Sequence, residues 1–533
     1  MNKPLIRIDN LTIAFGDREA VHNVSFEIGT AETVALVGES GSGKSITASA
    51  MMGLLPQHAR VATGQIIHLP SQTTWVAPHQ SPTSPLGKGL SMVFQDPMSS
   101  LNPSMRIGWQ VAESLIVHQH MSKTAAKAEA IQLLEEVELP EPSALFARYP
   151  HELSGGQKQR VMIALALAAK PDLLIADEPT TALDVTVQNA VLMLLNRLKV
   201  SRNLAILFIT HDLDVVREIA DSVLVMQHGK LVEQGDAKTV MDHPKHEYTQ
   251  ALIAAKDIPT RPIKAKIGKP LVVAAHVTKT YSQKKNFWGR SVRPFKAVDD
   301  VSITLRAGER VGLIGESGSG KSTLGRALIG LTAMSSGQVT IDDIPVEHNH
   351  PTSMRRIRRD AQLVFQDPYS ALNPKIPVGT AIAEVYEHLG MDAKSAADQA
   401  VSLIQEVGLN AEDAKRYPGN FSGGQRQRLV IARALAVEPR FVVLDESVAA
   451  LDVQIQRDIL DLLAKIGDER NLTYLFISHD ISVISSFCNR LLIMHKGRIV
   501  EQGHTQDILA RPENAYTREL LASRPGKIPL TTA

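Results

Sequence analysis

The octapeptide Gly38-Glu-Ser-Gly-Ser-Gly-Lys-Ser45 occurs a second time as Gly315-Glu-Ser-Gly-Ser-Gly-Lys-Ser322. Four more landmarks repeat behind it in the same order. Phe94-Gln-Asp-Pro97 returns as Phe365-Gln-Asp-Pro368, and Ser154-Gly-Gly-Gln157 as Ser422-Gly-Gly-Gln425. Asp177-Glu178 returns as Asp445-Glu446, and His211-Asp212 as His479-Asp480. The last three share an offset of 268 residues (422 − 154). A period this long means two whole domains rather than a solenoid of small repeats. Length alone, 533 residues at about 150 per domain, would suggest three or four domains. The repeat instead divides the chain into residues 1–256, a linker at 257–270 and residues 271–533. The linker carries Pro259, Pro262, Gly268 and Pro270 among lysines and an arginine, without periodicity. Each domain closes on a matching tail, at about 230–256 and 499–524, where Pro244-Lys-His-Glu-Tyr-Thr249 answers Pro512-Glu-Asn-Ala-Tyr-Thr517.

Composition removes several classes of function. Lys plus Arg is 57 and Asp plus Glu is 56, a net charge of +1, which argues against a generally basic nucleic-acid binder. Hydrophobic residues are 44% and charged residues 21%, values of a globular protein. Cys488 is the one cysteine, so no intramolecular disulfide and no cysteine-built zinc or iron–sulfur site can form. That usage fits a reducing, intracellular compartment. The longest apolar run, Val161 to Ala169, is about half of the roughly 20 residues a membrane helix needs. The N-terminus alternates apolar and polar residues and reads as a first strand, not a signal peptide.

Each half reads as α/β. Short apolar runs at Thr33–Val37, Leu173–Ala176 and Leu204–Thr210 suit buried parallel strands, as do Val311–Ile314, Phe441–Leu444 and Leu472–Ser478. Leu271 to Thr280 repeats the opening strand. Segments of helical composition, Val111 to Leu139 and Thr380 to Leu409, predict a helical subdomain inserted into each sheet domain.

The repeated octapeptide follows an apolar strand and precedes a good helix, Ile46 to Met52. In that context Gly38, Ser40, Gly41 and Gly43 let backbone N–H groups face phosphate oxygens, and the helix N-terminus adds partial positive charge. Lys44 reaches the β- and γ-phosphates and the Ser45 hydroxyl holds Mg²⁺. Gly315, Ser317, Gly318, Gly320, Lys321, Ser322 and Thr323 repeat the arrangement. Asp177 and Asp445 end strands beside these loops and suit an outer contact to Mg²⁺. Glu178 and Glu446 follow as candidates for polarising the attacking water. His211 and His479, each at a strand end, suit a γ-phosphate sensor.

Together these residues resemble the ATP-binding cassette (ABC) ATPases, over nearly the whole chain and twice. The specific element is Leu153-Ser-Gly-Gly-Gln157, with Phe421-Ser-Gly-Gly-Gln425. The resemblance implies two tandem P-loop domains, each a RecA-like α/β core with an antiparallel β subdomain and a helical insert. It implies that Ser154, Gly155, Gly156 and Gln157 serve the nucleotide held by Lys321. Ser422, Gly423, Gly424 and Gln425 would serve that held by Lys44. It makes Gln95 and Gln366 Q-loop residues that contact Mg²⁺ and the attacking water, and Asp184 and Asp452 D-loop residues. The adenine-stacking aromatic is Phe15 in the first half. Tyr281 is its counterpart, at a longer spacing from the loop because of a basic segment, Gln283 to Lys296, in which Phe287 is an alternative.

The segments Phe94 to Pro103 and Phe365 to Pro374, with the Tyr-Thr tails at Tyr248 and Tyr516, narrow the resemblance to the di-/oligopeptide/nickel import family. Within it, the fused tandem form is similar to the ATPases of microcin C/peptide and glutathione importers. The cysteine-bound iron–sulfur cluster of some relatives is excluded. Three departures stand out: Ser447 where the first half has Pro179, Phe421 for the signature leucine, and unlike segments between the strands. Those segments are Ser/Pro/Thr-rich at Leu69 to Gly89 but basic at Met354 to Arg359, which reads as a solvated helix face or a contact to lipid headgroups or permease. The implied protein hydrolyses ATP with Mg²⁺ at two competent sites. It works on the cytoplasmic face of a bacterial inner membrane with two integral-membrane permease subunits and, indirectly, a periplasmic substrate-binding protein. It spans no membrane and binds no nucleic acid. A drug exporter ATPase and a ribosome-acting tandem cassette are the competing readings.

Overall fold

The structure is a computed structural model that describes residues 3–39, 41–76, 89–95, 100–180, 185–254, 260–281, 294–365, 368–448, 451 and 453–522. The chain divides into two compact units, Met1–Lys256 and Asp257–Ala522.

In the first unit the strands are β1 (Pro4–Phe15), β2 (Arg18–Gly29), β3 (Thr33–Val37), β4 (Ala59–His68), β5 (Thr73–Val76), β6 (Leu90–Val93), β7 (Leu173–Asp177), β8 (Ala205–Thr210), β9 (Ser222–Gln227) and β10 (Lys230–Asp236). They form two sheets. One is antiparallel, in the order β2-β1-β4-β5. The other runs β10-β9-β3-β8-β7-β6, parallel except for the β9–β10 edge. β3 lies at its centre with all five residues buried, which is why its sequence is a continuous apolar run rather than an alternation. A helical insert between β6 and β7 packs Val111, Leu115, Leu133 and Leu134 on the helix Gly155–Leu167.

The second unit repeats this with β11 (Pro270–Tyr281), β12 (Phe295–Arg306), β13 (Arg310–Ile314), β14 (Ser336–Ile341), β15 (Ile344–Pro345), β16 (Ala361–Val364), β17 (Phe441–Asp445), β18 (Thr473–Ile477), β19 (Arg490–His495) and β20 (Arg498–His504). Its sheet orders are β12-β11-β14-β15 and β16-β17-β18-β13-β19-β20.

Three details go beyond the sequence reading. Each helical insert contains a pair of helices across the segment. In the first unit they are Ile107–Gln119 and Lys123–Glu136, parted where His120 turns left-handed (φ 53°) and the Ser122 hydroxyl accepts from the Ala125 N–H. In the second they are Val378–His388 and Ala393–Glu406, with Asp392 as the cap. Secondly, the Ser/Pro/Thr-rich stretch contributes the strand β5. Thirdly, linker residues 260–269 have no helix or strand yet are held to the second unit. The Arg261 N–H donates to Ser486 O (2.8 Å) and its guanidinium to Asp461 (2.6 Å). The Lys264 and Ala265 amides donate to Asp468, which also pairs with the buried Arg310 at 2.6 Å. The basic helix spans Pro351–Asp360, burying Met354 and Ile357 and turning its arginines outward. Arg356 lies within 3.5 Å of both Asp342 and Asp360, so part of that charge is locally balanced.

Candidate active site

β3 delivers the chain to the carboxyl edge of the parallel sheet, where the glycine loop turns into the helix Lys44–Met51. Gly43 sits at the helix start with φ 105°, and Gly320 with φ 106°. A Cβ at Gly320 would meet the Ala297 carbonyl oxygen at 2.0 Å, and one at Gly43 the Ala20 carbonyl oxygen at 3.2 Å. Both the dihedral and the close hairpin therefore require glycine. The N-cap residue of each helix is a glycine and makes no side-chain cap, which suits a helix N-terminus that receives an anion. Lys44 is buried, and its ammonium donates to Gly38 O and Glu39 O, each at 2.8 Å. Lys321 does the same to Gly315 O and Glu316 O. A Cβ at Gly41 or Gly318 would meet nothing, and Ser317 is exposed, leaving the loop crest open. Thr323 is half-buried in the first helical turn.

The neighbouring strands bring the carboxylates. Asp177 ends β7, and its Oδ1 accepts from the Ser45 hydroxyl at 3.2 Å; Asp445 accepts from Ser322 at 2.7 Å. Burial raises both Asp pKa values, and the serine hydroxyls only partly offset it. In the second unit Arg326 adds a cation 3.8 Å from Asp445, where the first unit has Ser49. Glu178 and Glu446 follow with left-handed backbones, φ 46° and 48°, each fixed by its N–H on the neighbouring strand, at Ile209 O and Ile477 O. The Glu178 carboxylate accepts from Gln95 Nε2 at 3.0 Å and faces His211 Nδ1 at 3.4 Å. His479 faces Glu446 at 3.7 Å. Burial would lower both histidine pKa values, but the facing glutamates outweigh it and raise them. Burial likewise opposes ionisation of Glu446, and His479 reverses the effect, so its pKa is lowered.

Lys44, Ser45, Asp177, Glu178, Gln95 and His211 thus form one cluster, and Lys321, Ser322, Asp445, Glu446 and His479 its repeat. The signature residues lie elsewhere, at the start of the helices Gly155–Leu167 and Gly423–Leu435. Ser154 and Gln157 form a capping box, as do Ser422 and Gln425. A Cβ at Gly156 would meet Val187 Cγ1 at 2.4 Å, and one at Gly424 would meet Ile455 Cγ2 at 2.3 Å. Gly423 is half-buried, and a Cβ there would lie 3.7 Å from Leu451 Cδ2; Gly155 begins its helix. Phe15 and Tyr281 are the exposed last residues of β1 and β11, so they occupy matching strand ends despite their different spacing to the loop. Ser40, Asp184, Gln366, Asp452 and Phe287 lie outside the described residues.

Sequence reasoning missed two contacts. The Tyr248 hydroxyl accepts from the Glu39 N–H at 3.0 Å, and the Tyr516 hydroxyl from the Glu316 N–H at 3.0 Å. The recurring Tyr-Thr pair in both tails was the available signal.

The family described as "ABC transporter" matches residues 21–181 and 298–449. A protein of Agrobacterium fabrum, "Peptidoglycan transport ATP-binding protein YejF", is 44% identical over 529 residues, covering 98% of this chain and 96% of that one. The chain belongs to the ABC transporter family. As a member it is an ATP-binding, ATP-hydrolysing protein of tandem P-loop cassettes. The "Oligopeptide/dipeptide transporter, C-terminal region" matches residues 232–283 and 500–529 of this ABC protein. "Glutathione import ATP-binding protein GsiA" of Escherichia coli is 41% identical over 562 residues, covering 98% of this chain and 89% of that one. Among solved structures, the post-hydrolysis dimer of the ATP-binding cassette MJ0796, bound to ADP and Pi, is 29% identical. It covers 44% of this chain and 99% of that one, with a TM-score of 0.40. Among the described residues no helix is long and apolar enough to cross a membrane.

Proposed function

We propose that this chain is the ATP-hydrolysing subunit of a bacterial importer for peptides or peptide-like solutes, with two hydrolytic sites. The observation that carries the reading is the doubled cluster of loop lysine, serine, aspartate, glutamate and histidine, each followed by an oligopeptide-type tail. The names of the relatives, a peptidoglycan transporter and glutathione importers, support the substrate class.

In this reading the loop N–H groups with Lys44 and Lys321 bind the nucleotide phosphates. Ser45 with Asp177, and Ser322 with Asp445, are hard oxygen donors that fit Mg²⁺, and Gln95 and Gln366 complete the set. A hydroxyl and a carboxylate are too few for an all-protein cage, which is the pattern expected where substrate phosphates share the ion. When bound, Mg²⁺ neutralises charge on the β- and γ-phosphates. Glu178 and Glu446 orient and polarise the attacking water, and His211 and His479 contact the γ-phosphate. Phe15 and Tyr281 stack on adenine. Ser154 to Gln157 and Ser422 to Gln425 each serve the nucleotide of the other cassette, with Asp184 and Asp452 between them. ATP would then close the cassettes and hydrolysis release them. Two integral-membrane permease subunits are the partners, at the cytoplasmic face of the inner membrane, with a periplasmic binding protein delivering substrate.

Glu178→Gln and Glu446→Gln, made separately, test the two-site reading. Each is expected to reduce steady-state ATPase activity. If one abolishes it and the other leaves it untouched, only one site is competent. A tagged chain should bring two integral-membrane permeases through purification; recovery of ribosomes in their place would sink the importer reading.

A further inference from the structure

Each C-terminal tail reaches the phosphate loop of its own unit through one hydroxyl. Tyr248 lies in the helix Glu247–Ala254, is 8% exposed, and accepts from the Glu39 N–H. Tyr516 lies in the helix Ala515–Ala522 and accepts from the Glu316 N–H. The residue that donates is the second of each octapeptide, and it is gripped at both ends. Its N–H goes to tyrosine, while its carbonyl accepts from the loop lysine, Lys44 or Lys321, at 2.8 Å. If the lysine turns to a phosphate, that carbonyl keeps only the Ser42 or Ser319 N–H of the loop itself, each at 3.1 Å, and the tyrosine is what ties this residue to the tail.

The tail is built to hold this hydroxyl still. The Glu233 carboxylate accepts the amides of Lys245 (2.8 Å) and His246 (3.1 Å) just before the helix. Glu501 accepts those of Glu513 (2.9 Å) and Asn514 (3.2 Å). The helix start is then tied by side-chain caps of different chemistry and equal placement. The Tyr248 N–H donates to His246 Nδ1 at 3.1 Å, and the Tyr516 N–H to Asn514 Oδ1 at 2.9 Å. Thr249 and Thr517, the residues after the tyrosines, are fully buried. The two copies thus differ in the capping residue and keep the geometry of the hydroxyl.

We propose that Tyr248 and Tyr516 are positioning residues of the two phosphate-binding loops, through which each tail sets the nucleotide affinity of its own cassette. The proposal rests on the reading of the glycine loops as the nucleotide sites. Neither hydroxyl touches the reacting atoms; each acts by fixing the backbone that carries the phosphate-binding N–H groups.

The test uses Tyr248→Phe, Tyr516→Phe and the double variant in the full chain, since phenylalanine keeps the ring packing and removes one hydrogen bond. In the double variant, KM for ATP should rise about five-fold at unchanged kcat, the signature of lost ground-state binding. A merely structural role would lower the melting temperature or kcat and leave KM in place, so an unchanged KM overturns the proposal whatever happens to kcat. Binding of the fluorescent analogue mant-ATP separates this from the underlying reading. If the double Lys44→Ala, Lys321→Ala variant binds mant-ATP as tightly as the wild type, the loops are not the nucleotide sites. If that variant loses binding while the phenylalanine variant binds normally, the loops stand and the tyrosine proposal falls.

Discussion

At the scale of single residues, Glu178 and Glu446 carry the proposed chemistry. A non-glycine residue in the left-handed region carries a backbone cost of about 1 kcal/mol or more. Both glutamates bear it, at φ 46° and 48°. The turn aims each carboxylate at the histidine of the adjacent strand. That pairing has a pH signature. His479 has its pKa raised from the ordinary 6.5, so its contribution to stability is complete below 6.5 and is lost as pH rises through the raised value. Glu446 has its pKa lowered from 4.5, so its contribution is present above 4.5 and is lost as pH falls through the lowered value. The pair should therefore stabilise most between pH 4.5 and 6.5. The difference in melting temperature between wild type and His479→Asn, followed against pH, should peak in that window; a flat difference would show that the pair is not coupled. The signature glycines give a second residue-scale prediction. Gly156→Ala must displace Val187, and Gly424→Ala must displace Ile455, before any nucleotide is considered. Each should destabilise its unit by about 1–3 kcal/mol, the range for an overpacked contact. Thermal unfolding without nucleotide measures this, and unchanged midpoints in both variants would contradict the packing.

At the scale of elements, the strap at residues 260–269 behaves as part of the second unit. The Arg261 side chain is buried to 8% exposure against Asp461 while its backbone N–H donates to Ser486 O, and Asp468 collects two strap amides while pairing with Arg310. Arg261→Ala should release the strap, at a local cost of about 1 kcal/mol, and speed tryptic cleavage after Lys264 and Lys266 roughly five-fold. Cleavage at the wild-type rate would mean that the other anchors suffice. The strap also marks where sequence stops being informative. Its prolines, glycine and lysines correctly exclude helix and strand, but its anchors are tertiary, and nothing local encodes Asp468 as their acceptor. By contrast, β3, β7 and β8 were legible, because strands buried on both faces must be unbroken apolar runs. The grouping of Asp177, Glu178 and His211 was legible for the same reason, since each sits at or just after the end of such a run. The break inside each helical insert was not, because it depends on a left-handed His120 in one half and Gly390 in the other, residues with no common signal. The Tyr248 contact was signalled only by the recurring Tyr-Thr pair, which does not name its partner 209 residues away.

At the scale of the whole molecule, duplication within one chain changes how two cassettes find each other. If the signature of each cassette completes the nucleotide site of the other, as proposed, a cassette alone holds only half of each site. Separate chains would then be active only at concentrations that populate the pair. A short covalent connection makes the encounter intramolecular, with an effective concentration in the millimolar range for a short flexible linker. A cut after Lys256 falls between the two compact units and leaves the strap with the second, where its hydrogen bonds are. Neither unit loses a strand or a loop lysine by this cut. The co-expressed halves should therefore fold and bind ATP, yet their ATPase activity per site should fall on dilution. That of the intact chain should not change over the same range. Gel filtration at each dilution reports whether the halves have separated. Halves that have separated and still hydrolyse ATP at the rate of the intact chain would show that each cassette is complete by itself, and the reading of the signature as a partner for the opposite loop would then be wrong.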